Sequence, residues 1–314
     1  MKFEGIKISG TGMHVPSTIF TNEKLEKSCK GVDANWTYEN LGIKERRVSM
    51  YDDLHMNAIK ACQIALNNSN IKREKIDLIL CATCTNTYKA PSFATLIQDM
   101  LYMPNAAAMD INAVCSGFIY SLITAFQFIH TGMYKNILVV GTDSFSTITD
   151  WGKRDCVFFG DGAGAVIVSK TKAKNKIYVD LGSDGSGRCD WYAGSNVNKY
   201  FHMNAKAVFN AATSILPISI NKVLSEAKLT SDDIDIVVPH QPGIKVLKKL
   251  ADSLKIPFEK IMTNMDKYAN TSAATIPILL HETLEQKKIK RNDKVLFTAF
   301  GAGWVWGSIL FEWV

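Results

Sequence analysis

Three side chains in this 314-residue chain stand in contexts that suit carbonyl chemistry: Cys115, His240 and Asn270. Cys115 lies in the segment DINAVCSGF, where a strand-like stretch and small residues give way to helical spacing. A cysteine at such a junction sits at a helix N-terminus, where free backbone N–H groups and the helix dipole favour the thiolate, the nucleophilic form. The same spacing also suits a small buried cysteine in a core helix. His240 closes the apolar run IDIVVPH, at the C-terminal end of a predicted strand. Catalytic residues of α/β sheets gather at such ends. An imidazole there acts as acid, base or donor near neutral pH, or merely caps the strand. Asn270, in YANTSAA, can donate to an oxygen that is gaining negative charge, or cap the helix that follows. The turn Gly301-Ala302-Gly303 can aim a backbone N–H at a carbonyl oxygen, or simply join two strands.

Positioning these groups requires buried strands followed by helices, and the pattern supplies them. Continuous apolar runs at 76–80, 137–140, 165–168 and 295–298 read as strands covered on both faces of an α/β sheet, and 58–66, 118–129 and 276–284 read as helices. A weak internal repeat orders them. IDLIL at 76–80 returns as IDIVV at 234–238. Met109-Asp110 precedes Cys115 and its helix as Met265-Asp266 precedes Asn270 and its helix. GDGAG at 160–164 leads into AVIV as Gly301-Ala302-Gly303 leads into the final strand. Two similar α/β halves, 1–170 and 171–314, are expected to face one another and bring Cys115 and Asn270 to a shared site. The 160–164 glycines open a strand rather than a helix, which argues against dinucleotide binding. Cys81 and Cys84 form a CxxC pair with no second pair, so metal or redox chemistry is not expected and the pair reads as the end of a buried strand. Seven cysteines at irregular spacing do not form a disulfide framework. The net charge of +6 is not gathered into the clustered Lys/Arg of a nucleic-acid binder, and suits an acidic partner or a phosphorylated substrate. Without an apolar run of membrane-spanning length or a secretory h-region, a cytoplasmic protein is expected.

The segments AVCSGFIYSL, FFGDGAGAVIVS, VVPHQPGIKVL, YANTSAATIP and FGAGWVWGS occur in this order, with LGIKER at 41–46. Over essentially the whole chain this resembles the β-ketoacyl-acyl-carrier-protein synthase III family of thiolase-superfamily condensing enzymes. The resemblance implies an α/β thiolase-like fold, five-layered α-β-α-β-α, made of two similar halves and assembled as a homodimer. It implies decarboxylative Claisen condensation of an acyl thioester with malonyl-acyl carrier protein, without a cofactor or metal, since acyl-CoA or acyl-carrier-protein thioesters carry the activation. Cys115 would carry the acyl group, and His240 and Asn270 would hold the malonyl thioester carbonyl. The backbone N–H groups of Cys115 and Ala302 would form the oxyanion hole. Trp36 fits the family's adenine-stacking aromatic, and the partner arginine falls on Lys153 with Arg154 beside it. Asn40 replaces an arginine, and Gly243 an asparagine that touches the pantetheine arm. Phe209 joins the substrate-binding set. Ala90 replaces a bulky residue that limits the primer pocket, which predicts a longer or bulkier acyl group. Lys245, Lys248 and Lys249 fall where the family docks acidic carrier protein. Two other functions stay open: acyl transfer to an amine or hydroxyl without carbon–carbon bond formation, and a non-catalytic binding protein on the same fold.

Overall fold

The computed structural model describes residues 1–50, 53–194 and 199–314. Its frame is two five-stranded sheets. The first runs in the spatial order Ile6–His14, Asp161–Lys170, Asn136–Ser144, Leu78–Ala82, Ala107–Ile111, and the second in the order Lys2–Glu4, Lys176–Ser183, Val305–Glu312, Lys294–Gly301, Ile236–Pro239. Lys2–Glu4 is the exception to a simple division of the chain, because the N-terminus lies antiparallel on Lys176–Ser183 at the edge of the second sheet.

The sequence repeat is a repeat of pairing. In the first half, Leu78–Ala82 lies parallel to Asn136–Ser144, and that strand pairs antiparallel with Asp161–Lys170. In the second, Ile236–Pro239 lies parallel to Lys294–Gly301, and that strand pairs antiparallel with Val305–Glu312. Successive side chains of a strand point to opposite faces, and both faces here are apolar. Leu78, Leu80, Ile137 and Val139 share one cluster with Ile236, Val238, Val295 and Phe297 from the other sheet. Ile79, Cys81, Leu138 and Val140 face the opposite way, into a second cluster.

The shared cluster holds the helices Gly117–His130 and Thr275–Glu285, sandwiched between the sheets. Phe118 and Phe126 are fully buried there, and burial of side chains this size contributes about 1.5–3 kcal/mol each. Helices Asp53–Ser69 and Phe93–Met100 cover the outer face of the first sheet. Ala205–Ala227 and Ile244–Leu254 cover that of the second. The result is the five-layered α-β-α-β-α thiolase-like fold. Among the described residues, Ala205–Ala227 is the one helix long and apolar enough to cross a membrane, and its Ala212, Leu216, Ile220, Val223 and Leu224 are packed into the outer core. The chain thus carries Cys115 and Asn270 at the starts of the two central helices, and His240 just past a strand end beside them.

Candidate active site

Cys115 occupies the short helical turn Val114–Ser116 that leads into Gly117–His130. Val114 immediately before it has φ 45°. A β-branched residue in that left-handed region costs of order 1–3 kcal/mol, so the surrounding packing must hold the turn. Gly301 supplies part of that packing. A Cβ there would lie 3.1 Å from the Ala113 carbonyl and from the backbone nitrogens of Cys115 and Ser116. Glycine there lets the Gly301-Ala302-Gly303 turn come this close to the cysteine without pressing on its backbone. The Ser116 hydroxyl completes the joint by donating to the Val305 carbonyl at 3.0 Å.

His240 follows the strand Ile236–Pro239, and its backbone N–H donates to the Thr298 carbonyl at 2.8 Å. The buried Gln241 side chain clamps the chain after it, donating to the carbonyls of Pro239 (3.1 Å) and Met262 (3.2 Å) and accepting from the Asn264 N–H (3.2 Å). Asn270 is fixed through its backbone and its side chain. Its N–H donates to Phe158, its carbonyl accepts from Gly160, and its Oδ1 accepts from the Ser272 N–H at 2.8 Å. The amide oxygen thus closes an Asx-turn, while the helix Thr275–Glu285 begins only after a further turn at Ser272–Ala274. With the oxygen engaged, the amide NH2 is the group Asn270 offers as a donor.

A cavity of about 250 Å³ joins these residues. Cys115, His240, Asn270 and Ala302 line it, as do Trp36, Phe209, Gly243 and Lys245. Most of the remaining wall is apolar, which strengthens any charge-dependent hydrogen bond inside. The electrostatics differ from the sequence expectation in one respect. Burial pushes the Cys115 thiol up to about 12, against hydrogen bonding that favours the thiolate. Burial pushes His240 down to about 3, so its imidazole is neutral. Its Nδ1 is buried without a hydrogen-bond partner. A neutral imidazole on the same cavity can accept a proton from a thiol or donate a hydrogen bond to an oxygen.

The outer positions sort differently from the sequence expectation. The Arg154 guanidinium lies 3.9 Å from the Trp36 ring centroid, whereas Lys153 turns to Asp150 at 3.4 Å. The aromatic–cation pair is therefore Trp36–Arg154, with Trp36 on the cavity and Arg154 exposed at the start of the short turn Arg154–Val157. Asn40 donates to the Trp36 carbonyl at 2.8 Å and accepts from the Lys245 ammonium. Lys248 and Lys249 are exposed on Ile244–Leu254, Lys248 on a neighbouring groove that also carries Lys44 and Lys267. Ala90 is exposed and is not among the residues lining the cavity. Part of the cavity wall is aromatic. Phe159 and Trp191 line it, Phe145 stacks on Phe159 with centroids 4.2 Å apart, and Phe201 stacks on Trp191 at 6.3 Å. Asp143 and Gln241 were not singled out from the sequence. The available signal was an acid closing the apolar run ILVVGTD and an amide directly after His240.

Residues 109–185 match the family described as 3-Oxoacyl-[acyl-carrier-protein (ACP)] synthase III, and residues 224–313 match its C-terminal part. The chain is 41% identical over 309 residues to the Beta-ketoacyl-[acyl-carrier-protein] synthase III of Listeria innocua, covering 98% of each chain. It is 41% identical over 313 residues to the Oceanobacillus iheyensis protein of the same name, covering 98% of this chain and 99% of that one. The crystal structure of 3-oxoacyl-[acyl-carrier-protein] synthase III from Aquifex aeolicus superposes with a TM-score of 0.95 at 40% identity, covering 98% of this chain and 100% of that one. The priming β-ketosynthase of the R1128 polyketide pathway superposes with a TM-score of 0.92 at 26% identity, covering 99% of this chain and 97% of that one.

Proposed function

The chain belongs to the 3-oxoacyl-acyl-carrier-protein synthase III family, and on that footing we propose that it condenses an acyl thioester with malonyl-acyl carrier protein, releasing CO2 and a β-ketoacyl product. The observation that carries the reading is the placing of Cys115, His240 and Asn270 on one apolar cavity. Cys115 attacks the incoming acyl thioester, and its proton passes to the neutral His240 or to the leaving thiol. The new C–S bond replaces that of the donor. Malonyl thioester then enters, and its carbonyl oxygen meets the donors of His240 and Asn270. Loss of CO2 leaves an enolate whose charge those donors stabilise. Its carbon attacks the acyl-Cys115 carbonyl, whose oxygen is held by the backbone N–H groups of Cys115 and Ala302. The C–S bond breaks, the ketoacyl chain leaves on its carrier, and one proton restores the thiol. None of these steps calls for a cofactor.

Trp36 and Arg154 bind the nucleotide end of acyl-CoA, with Phe209 and Gly243 along the arm. Lys245 at the mouth, with Lys248 and Lys249 on the same helix, presents positive charge to the acidic carrier. Charge reversal Lys245→Glu should raise KM for malonyl-carrier protein about fivefold to tenfold, as expected when one interfacial charge pair becomes repulsive. The same KM in both enzymes would remove Lys245 from the docking face. The two halves, 1–170 and 171–314, act as one catalytic unit in a cytoplasmic homodimer. The strand Ala107–Ile111 supports dimer formation, since it is an edge of the first sheet and leaves Met109 exposed. Sedimentation of a stable monomer at micromolar concentration would contradict it.

The aromatic wall bears on the primer. Trp191 lines the same cavity as Cys115, so Trp191→Ala should shift the ratio of octanoyl to acetyl transfer onto Cys115 upward by about tenfold, the worth of about two newly buried methylenes. An unchanged ratio would show that the wall does not set chain length. The whole reading is tested by CO2 release: condensation liberates one CO2 per product, and simple acyl transfer to an amine or hydroxyl liberates none.

A further inference from the structure

Asp143 is a fully buried carboxylate near the end of the strand Asn136–Ser144, and its hydrogen-bond partners are donors. Its Oδ1 accepts from the Thr83 hydroxyl (3.2 Å), the Cys84 N–H (2.9 Å), the Cys84 thiol (3.5 Å) and the Thr85 hydroxyl (2.8 Å). Its Oδ2 accepts from the Ala273 N–H (3.2 Å), three residues beyond Asn270. One oxygen therefore holds the loop after Leu78–Ala82 in the first half, and the other holds the Asn270 turn in the second. That turn needs holding. Ala269 and Ser272 have φ of 55° and 52°, strained values for residues that carry a Cβ. The strand of Asp143 is already seated against it, since a Cβ on Gly141 would lie 2.1 Å from the Ala273 carbonyl. The Ser272 N–H fixes the Asn270 amide oxygen, and the buried Ser272 hydroxyl, which has no partner of good hydrogen-bond geometry, faces both Asp143 and the Cys115 thiol.

We propose that Asp143 is a positioning residue that sets the Asn270 amide for decarboxylation by bracing the 270–273 turn against the 83–85 loop. This rests on the condensing-enzyme reading of Asn270. An asparagine at 143 would keep one acceptor and turn an NH2 against a donor, because both oxygens face donors. The side chain must then rotate or the Asn270 turn must shift. Acyl transfer to Cys115 does not use the Asn270 amide and should be spared.

The test is Asp143→Asn, assayed separately for acylation of Cys115 by acyl-CoA (intact mass) and for CO2 release from malonyl-carrier protein. We expect acylation within about threefold of wild type and CO2 release lowered at least about tenfold, the scale of a partly misaligned oxyanion donor. An equal loss in both steps marks a merely structural role and overturns the proposal, as does no change in their ratio. If Asp143→Asn shows no cooperative unfolding transition, Thr85→Val decides, because it removes the 2.8 Å donor to Oδ1 while keeping side-chain volume. A lowered ratio in that variant supports the brace and an unchanged one overturns it. Wild-type enzyme that acylates but releases no CO2 would overturn the condensing-enzyme reading itself, and this role with it.

Discussion

Replacing Cys115 by alanine should abolish the acyl-enzyme adduct and reduce condensation by roughly four or more orders of magnitude, as loss of a covalent nucleophile does. The same variant should still release CO2 from malonyl thioester. The two outcomes follow from the division of the cavity. Cys115 sits on the turn at the start of one central helix, while His240 and Asn270 reach the cavity from the other half of the molecule. Decarboxylation needs only donors aimed at the malonyl carbonyl oxygen, and removing the sulfur leaves those donors in place. The CO2 release of Cys115→Ala should also be flat across the neutral pH range. Burial holds His240 neutral until pH falls to about 3, and the thiol, pushed up to about 12 in wild type, is gone. Intact-mass spectra and a coupled CO2 assay read both results. Loss of CO2 release together with the adduct would mean that the sulfur, rather than His240 and Asn270, drives decarboxylation.

Replacing Asn270 by alanine should do the reverse. Acylation of Cys115 should stay within about threefold of wild type, while CO2 release should fall by about 10²–10³, the usual cost of one oxyanion donor in a dry site. Asn270→Asp separates the donor from the turn. Aspartate keeps an oxygen for the Ser272 N–H, and with it the Asx-turn, but offers no NH2. It should lose decarboxylation at least as fully as alanine, since its charge also repels the enolate. Full CO2 release in the aspartate variant would assign Asn270 to holding the turn alone.

How far the sequence reaches follows from the range of the interactions concerned. Local pattern left each of Cys115, His240 and Asn270 with a plain structural alternative, and it was the ordered set of segments, through the family resemblance, that joined them into one candidate site. The two-half architecture was legible because the same strand pairing leaves the same apolar strings at 76–80 and 234–238. Lys153 and Arg154 could not be ordered from sequence, since adjacent residues in a short turn point in different directions and only the fold decides which one meets Trp36. Ala90 was placed at the primer pocket by the family resemblance; in the single chain it is exposed and lies off the cavity, whose lining includes Trp191. Asp143 was invisible because its partners are 58–60 and 130 residues away. Burial of the Cys115 thiol, which pushes it up, depends on residues from both halves and has no local mark in the sequence.

The central claim is that an acyl group on Cys115 is discharged by a decarboxylating malonyl donor. The most direct test loads wild-type enzyme from a panel of acyl-CoA and acyl-carrier-protein thioesters, maps the adduct by intact mass and peptide analysis, then chases with malonyl-carrier protein while CO2 is recorded. The account predicts an adduct on Cys115 that disappears on the chase with one CO2 per enzyme and a β-ketoacyl-carrier product. An adduct on Cys115 that survives the malonyl chase, but leaves when an amine or hydroxyl acceptor is added, would contradict it.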